Sequence, residues 1–186
     1  DARHSLRMTE FKNSDGLTQA EADKRAWEYK NRGFNVLLSQ YKNRYLFFDR
    51  DSQKRTYFGN HPNYDVFIKD TRTLVAAAHK HGLKFFIHLT ATTVEKDIID
   101  DHPDWAAIDI TTGKSPINSY GSYMTCINSG VFMSEYLRRL ERFVKESGVD
   151  GIMQDEIQFL DFNLCGCRSC RDQYRKDTGQ EIPACI

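Results

Sequence analysis

The feature that most constrains the fold is a cassette that occurs three times, in which a helical segment ends at a glycine and an apolar run follows at once. The glycines and runs are Gly33 with Phe34–Ser39, Gly82 with Leu83–His88, and Gly148 with Val149–Gln154. Glycine adopts the left-handed conformation that ends many helices. Strands that are apolar throughout are typical of a parallel sheet covered by helices. The cassette therefore predicts an α/β fold with parallel strands.

The helices of these cassettes have their own start signals and apolar faces. Thr18-x-x-Glu21 is a capping box that predicts the start of the first helix, and the second is predicted from about Asp65 to His81. We expect Ser134 to cap a third helix and Arg171–Thr178 to form a short last one, closed by Gly179. The predicted inward face of the third helix consists of Tyr136, Leu137, Leu140, Phe143 and Val144.

The longest segments come after strands, and this placement indicates the architecture. Residues 90–128 form an excursion that we predict to be irregular, and loops of this length in compact domains usually serve a site. An aromatic-rich stretch follows the second run, where Tyr45–Asp49 and Arg55–Phe58 predict an inserted hairpin. Its rings could build the hairpin's own core or a stacking wall for a sugar. Long loops after strands are typical of a (β/α)8 barrel, whose active site lies at the carboxyl ends of its strands.

The strand count predicts half of such a barrel. With a weaker strand at Ser5–Thr9 there are four, whereas a complete barrel has eight and typically about 250 residues. We therefore predict that residues 1–186 are the N-terminal half of a TIM-barrel catalytic domain, with roughly strands 1–4. The first residue, Asp1, indicates a processed start or an excised piece. Open sheet edges recruit other chains, so we expect assembly with a missing C-terminal half or as a homo-oligomer, or else poor solubility.

Charge and hydropathy exclude several partner classes. Lys and Arg together number 26, as do Asp and Glu, and no basic block is present. This balance predicts no nucleic-acid or anionic-membrane partner. No apolar run approaches the roughly 20 residues that a membrane span needs.

Two adjacent carboxylates, Asp155 and Glu156, stand where the fourth predicted strand ends. Glycoside hydrolysis uses two carboxyl groups that flank the scissile bond, one protonating the leaving oxygen and one attacking or activating water. Neighbouring strand residues face opposite sides, so the second member of the pair is expected from another strand, outside this chain. The plainer alternative is a solvated acidic turn or a helix cap.

The cysteines indicate a metal site. Cys165-x-Cys167-x-x-Cys170 packs three thiols into six positions, a pattern better suited to a thiophilic metal than to disulfides. Metal-type cysteines favour a cytoplasmic location, and the sequence constrains localisation no further.

These residues resemble glycoside hydrolase family 42. The similar elements are Tyr120-Gly-Ser-Tyr-Met-Thr-Cys126-Ile-Asn-Ser129, the Asp155-Glu156 pair and the clustered cysteines. The resemblance implies Glu156 as the acid/base, with Asp155 replacing that family's Asn. It also implies a Zn²⁺ ion bound by Cys126, Cys165, Cys167 and Cys170, with Cys185 left free. A four-thiolate site is closed, so the zinc would be structural and would tie the segment after strand three to that after strand four.

The chain also resembles the hypothetical glycosyl hydrolase 6 group. The shared elements are His102-Pro-Asp-Trp105, Cys126-Ile-Asn-Ser129 and Asp150-Gly-Ile-x-x-Asp155. That group is similar to α-L-fucosidases, whose strand-four Asp is the nucleophile, which implies this role for Asp155.

The function that we predict is a glycoside hydrolase acting on a carbohydrate substrate by carboxylate acid/base catalysis. Candidate substrate-binding residues lie in or after the predicted strands: His88, Gln40, Asn128 and Trp105. His88 could equally be a packing or supporting residue. The alternatives are a fucosidase-like hydrolase with Asp155 as nucleophile, a barrel that binds carbohydrate without cleaving it, and an inactive fragment.

Overall fold

The computed structural model describes residues 5–12, 15–39, 46, 64–90, 92–119, 121–155, 157 and 163–183. In chain order its elements are β1 (Met8–Glu10), α1 (Gln19–Asn31), β2 (Val36–Leu38), α2 (Tyr64–Lys80), β3 (Lys84–Thr90), β4 (Thr93–Val94), α3 (Lys96–Asp101), a 3-10 turn (Pro103–Trp105), β5 (Tyr123–Met124), α4 (Gly130–Ser147), β6 (Gly151–Asp155) and α5 (Arg168–Thr178). The chain divides into two compact units, Asp1–Leu89 with Leu140–Asp155, and Thr90–Arg139 with Glu156–Ile186.

The first unit is built on a four-stranded sheet in the order β1-β2-β3-β6. The pairs β1–β2 and β2–β3 are parallel, with Val36 opposite both Met8 and Lys84. Each of the three predicted cassettes is present, and its glycine has a positive φ of 86° at Gly33, 65° at Gly82 and 74° at Gly148. Sequential parallel strands joined through helices confirm the predicted α/β fold and are the arrangement of the first half of a (β/α)8 barrel.

Helices cover one face of this sheet. Along β3, Phe85, Ile87 and Leu89 are fully buried, while Phe86 and His88 on the other face are partly exposed. Four apolar residues on one face of α2 are buried, namely Phe67, Leu74, Val75 and Ala78, and the Phe67 ring stacks on Phe143 with centroids 5.2 Å apart. The capping box of α1 forms as predicted, with reciprocal Thr18 and Glu21 hydrogen bonds.

Two predictions about helix α4 are wrong. It begins at Gly130 rather than after Ser134, because the Ser129 hydroxyl accepts a hydrogen bond from the Phe132 N–H and supports an earlier start. Leu137 is 54% exposed rather than inward, because the buried face is set by Phe132, Tyr136 and Phe143. One residue beyond Tyr136 is a rotation of about 100° around the helix, which turns Leu137 to solvent.

The second unit holds the excursion that we predicted to be irregular, and that prediction is wrong in part. Strands β4 and β5 pair antiparallel with Thr93 opposite Met124, and α3 and the 3-10 turn lie between them in sequence. Two-residue strands carry no periodic signal, which is why the sequence did not reveal them. Helix α5 begins at Arg168, one turn before the predicted start, and ends at Gly179 with φ 69° as predicted.

Two further observations concern the rest of the chain. The predicted aromatic hairpin lies outside the described residues, apart from Leu46. Within the ranges given above, no helix is long and apolar enough to cross a membrane.

Candidate active site and cysteine centre

The carboxyl ends of β3 and β6 bring His88 and Asp155 together. Asp155 is the last residue of β6, and its Oδ2 lies 3.0 Å from the His88 Nε2. The two strands are neighbours in the sheet, so residues near their carboxyl ends meet at one edge. The side chains are 23% exposed for His88 and 48% for Asp155, and solvent can therefore reach the carboxylate.

The side of the sheet on which this pair lies follows from strand alternation. Phe86 and His88 share the less buried face of β3, opposite the residues that pack against helices. Gly151 of β6 lies against Phe86, since a Cβ on Gly151 would be 2.7 Å from the Phe86 Cζ. Gly151 and Asp155 are four residues apart and so share a face. The Asp155 carboxylate thus lies on the face that, in a barrel, lines the interior.

Hydrogen bonds fix the strand ends next to the pair. The Ser39 Oγ, at the end of β2, accepts from the His88 backbone N–H at 3.1 Å, and the Ser39 N–H donates to the Phe86 carbonyl at 2.8 Å. On the other side, the Gln154 Nε2 donates to the Leu89 carbonyl at 3.2 Å. Sequence reasoning did not identify Ser39 or Gln154. The only signal was that a polar residue closes each apolar run.

The amino end of β6 carries a different carboxylate, Asp150, which sequence reasoning used only as part of a motif. It accepts from the Lys84 Nζ at 2.7 Å and the Phe85 N–H at 2.9 Å, and its Oδ2 lies 2.7 Å from the His79 Nε2. Burial alone would raise the pKa of Asp150, but Lys84, the Phe85 amide and His79 together hold that pKa below its usual value. Asp150 is therefore an ionised, structural carboxylate.

The remaining predicted site residues lie elsewhere. Glu156 and Gln40 are outside the described residues. Trp105 is 3% exposed and its ring stacks on His102 at 3.9 Å, which gives it a packing role in the second unit. The Asn128 Nδ2 lies 3.5 Å from the Cys170 Sγ. Substrate binding by Gln40, Trp105 and Asn128 and the catalytic role of Glu156 stay predictions.

The second unit gathers four thiols into one cluster. The Sγ atoms of Cys126, Cys165, Cys167 and Cys170 all lie within 4.8 Å of one another. The Cys126 Sγ is 3.5 Å from that of Cys170 and 3.4 Å from that of Cys167. All four thiols are free. The fold thus brings the segment after β5 close to the start of α5.

The cluster fits a tetrahedral metal ion. Zinc–sulfur bonds of about 2.3 Å imply sulfur–sulfur distances of about 3.8 Å, close to the spacing seen here. The Cys165 Sγ also accepts from the N–H groups of Ile108 at 3.3 Å and Cys167 at 3.4 Å, which stabilise a thiolate. Hydrogen bonds among the four thiols lower the pKa of Cys167, bring that of Cys170 to about 7 and raise the pKa of Cys126 and Cys165.

A glycine makes the tight approach of the cluster possible, and sequence reasoning missed it. A Cβ on Gly166 would lie 2.9 Å from the Ile110 Cγ1 and 3.1 Å from the Arg171 Nη2. The Arg171 Nε also donates to the Gly166 carbonyl at 2.8 Å. The sequence feature that could have revealed this role is the position of Gly166 between Cys165 and Cys167.

Comparison with known proteins gives a family match over most of the chain. The sequence profile of a family described as hypothetical glycosyl hydrolase 6 matches residues 31–156. No curated protein matches in sequence. The finer resemblance to glycoside hydrolase family 42 stays a prediction.

Solved structures with a similar fold include glycosidases. A noncanonic maltogenic α-amylase from Thermotoga neapolitana is 14% identical with a TM-score of 0.59, over 94% of this chain and 43% of its own. An α-L-fucosidase from Paenibacillus thiaminolyticus is 16% identical with a TM-score of 0.62, over 92% and 26%. A β-galactosidase from Halorubrum lacusprofundi is 16% identical with a TM-score of 0.59, over 92% and 24%. The chain therefore spans less than half the length of each, and its fold is part of a TIM barrel.

Proposed function

The chain belongs to the hypothetical glycosyl hydrolase 6 family, and on this premise we propose that it forms part of a glycoside hydrolase in which Asp155 is the attacking carboxylate. One observation carries the proposal. Asp155 ends a barrel strand, on the face that would line the interior, with its carboxylate accessible and 3.0 Å from the His88 Nε2. Carboxylates that end barrel strands are where such enzymes keep their catalytic groups.

The chemistry requires a second carboxyl group with the opposite task. In a retaining reaction, an Asp155 oxygen forms a bond to the anomeric carbon as the bond from that carbon to the leaving oxygen breaks. A protonated carboxylic acid gives its proton to the leaving oxygen, and its carboxylate then activates the water that releases the sugar. A carboxyl group on another strand of the complete barrel is our first candidate for this acid/base role, because neighbouring residues of a strand face opposite sides. Glu156, to which the resemblance to glycoside hydrolase family 42 gives the role, is the alternative.

Two substitutions in the complete protein test the roles. Asp155→Asn should abolish hydrolysis of natural and activated aryl glycosides alike, and azide should restore turnover of the aryl glycoside with a glycosyl azide product. If Glu156 is the acid/base, Glu156→Gln should reduce turnover of natural glycosides by about 10²–10⁴-fold and spare substrates whose leaving group needs no proton; unchanged turnover assigns the role to the other strand. An Asp155→Asn enzyme with unchanged kinetics would refute the assignment of Asp155.

We propose further that Cys126, Cys165, Cys167 and Cys170 hold a structural zinc ion. The support is the spacing of their sulfur atoms and the N–H donors to Cys165. With four thiolates the coordination shell is closed, so the ion would stabilise the fold of the second unit and take no part in the reaction.

Metal analysis of protein purified without chelator tests this proposal. We expect about one zinc per chain, lost in the Cys126→Ser variant. The matched control is Cys185→Ser, which lies outside the described residues and should keep full occupancy. Chelator-free protein that contains no zinc, or a Cys126→Ser variant that retains it, would refute the proposal.

A further inference from the structure

We propose that His88 is a positioning residue that acts through Asp155, donating a hydrogen bond from Nε2 to Oδ2 so that the carboxylate is ionised and correctly turned. This inference rests on the proposed function and names how that site is prepared for reaction. Its starting observation is the 3.0 Å separation between the two atoms, at the ends of neighbouring strands.

Hydrogen bonds and packing in the neighbouring strands hold His88 in position for this contact. The backbone of His88 is anchored by the Ser39 Oγ, and the Ser39 side chain is itself buried, with the residue 4% exposed. Phe85, Ile87 and Leu89, which alternate with Phe86 and His88, are fully buried and fix which way β3 faces. The Gln154 amide donates to the Leu89 carbonyl and ties β6 to β3 one residue before Asp155. His88 is thus held from both neighbouring strands.

The chemical consequence follows from the direction of the hydrogen bond. A donor on a carboxylate oxygen favours the charged form over the protonated one. It also limits rotation of the carboxylate, and a misplacement of about 1 Å can cost roughly 10²-fold in rate. Asp155 is therefore suited to attack as an anion and unsuited to act as the general acid, which must come from another carboxyl group.

His88 is also a predicted substrate-binding residue, and direct substrate binding would give a different kinetic signature. Removal of a side chain that binds substrate directly raises KM. Removal of a side chain that orients the attacking group lowers kcat. The second kind of removal also shifts the acid limb of the pH profile, since that limb reports the ionisation of the essential carboxylate.

A matched pair of variants distinguishes the two ring nitrogens. The amide nitrogen of glutamine can take the place of Nε2, whereas that of asparagine takes the place of Nδ1. In the complete enzyme we expect His88→Gln to keep kcat within about tenfold. His88→Asn should lose about 10²-fold in kcat with KM little changed, and its acid limb should move to higher pH. Equal activity of the two variants, or a loss confined to KM, would overturn the inference.

A measurement without substrate separates this inference from the proposed function. Nitrogen-15 NMR of the unsubstituted protein should show the His88 Nε2 carrying a proton, and the Asp155→Leu variant should change the ring's nitrogen shifts. A proton on Nδ1 with Nε2 bare, or shifts unaffected by Asp155→Leu, would overturn the positioning role even if hydrolysis were established. Protein that shows this NMR signature but hydrolyses no glycoside would retain the contact and refute the proposed function instead.

Discussion

The contact between Gly151 and Phe86 allows a quantitative test of the packing that brings β6 against β3. A Cβ at position 151 would lie 2.7, 2.8 and 2.9 Å from three atoms of the Phe86 ring. Carbon atoms in contact are normally about 3.5–4.0 Å apart. Gly151→Ala therefore forces the ring back by roughly 1 Å, and the buried neighbours Phe85 and Ile87 restrict the strand from following.

Two opposing energies decide the outcome of this substitution. Overpacking costs about 1–3 kcal/mol, and because the Phe86 ring is partly exposed and can shift, we expect a cost below the upper end of this range. Replacing glycine by alanine at a compatible backbone position gains about 0.4–1 kcal/mol through the unfolded chain. The steric cost is the larger, so we expect the free energy of unfolding to fall by about 1–2 kcal/mol. For a chain of this size, that corresponds to a thermal midpoint lower by roughly 2–8 °C.

The assay is urea and thermal unfolding followed by circular dichroism, with two matched comparisons. Gly130→Ala changes a glycine whose Cβ would meet nothing within 4 Å, and it should not destabilise the protein. In a Phe86→Leu background the smaller side chain leaves room, so Gly151→Ala should cost less there than in the parent. A Gly151→Ala protein as stable as the parent, or an equal cost in both backgrounds, would refute the argument.

Three further predictions concern the carboxylate of Asp150, the buried face of α4 and the cysteine centre. Asp150→Asn should lower the free energy of unfolding by about 1–3 kcal/mol at neutral pH. The folded protein depresses the pKa of Asp150, so its stabilising effect is lost as the carboxyl is protonated, and the difference between the two proteins should shrink below about pH 4. Urea titrations over a range of pH measure this difference. Phe143→Ala should cost about 3–5 kcal/mol because the ring is fully buried, whereas Leu137→Ala, at a position 54% exposed, should change stability by less than about 0.5 kcal/mol. A strong chelator should lower the thermal midpoint of the parent protein but not that of Cys126→Ser, and an equal response of both proteins would contradict a role for zinc in stability.

What the sequence could predict was local in origin. A glycine after a helical segment commonly ends the helix in the left-handed conformation, and Gly33, Gly82 and Gly148 all adopt this conformation. The apolar runs after them become β2, β3 and β6, with bounds shifted by one or two residues. The capping box of α1 is likewise contained within four residues. In each case the interaction that decides the structure joins residues close in sequence.

What the sequence could not predict depends on distant partners. The donors to Asp150 come from α2 and from β3, and nothing near Asp150 indicates them. Ser39 looks like an ordinary polar residue at a strand end, and its role appears only when β3 lies beside it. Cys126 was assigned to the cysteine centre through the resemblance alone, because spacing argues only for the three clustered cysteines. The early start of α4 depended on a single hydroxyl group, at Ser129.

Asp150, which directly precedes β6, and Asp155, its last residue, lie in different environments, and these predict different consequences of substitution. Asp150, at the amino end, has a side chain only 14% exposed and binds a lysine, a histidine and a backbone amide. Such a carboxylate is committed to holding β6 against β3, and its neutralisation should weaken the fold. Asp155, at the carboxyl end, is 48% exposed and faces a histidine that is anchored from elsewhere. In barrels the carboxyl end carries catalysis and the opposite end carries stability. Substitution of Asp155 should therefore change reactivity with little effect on unfolding, and substitution of Asp150 should do the reverse.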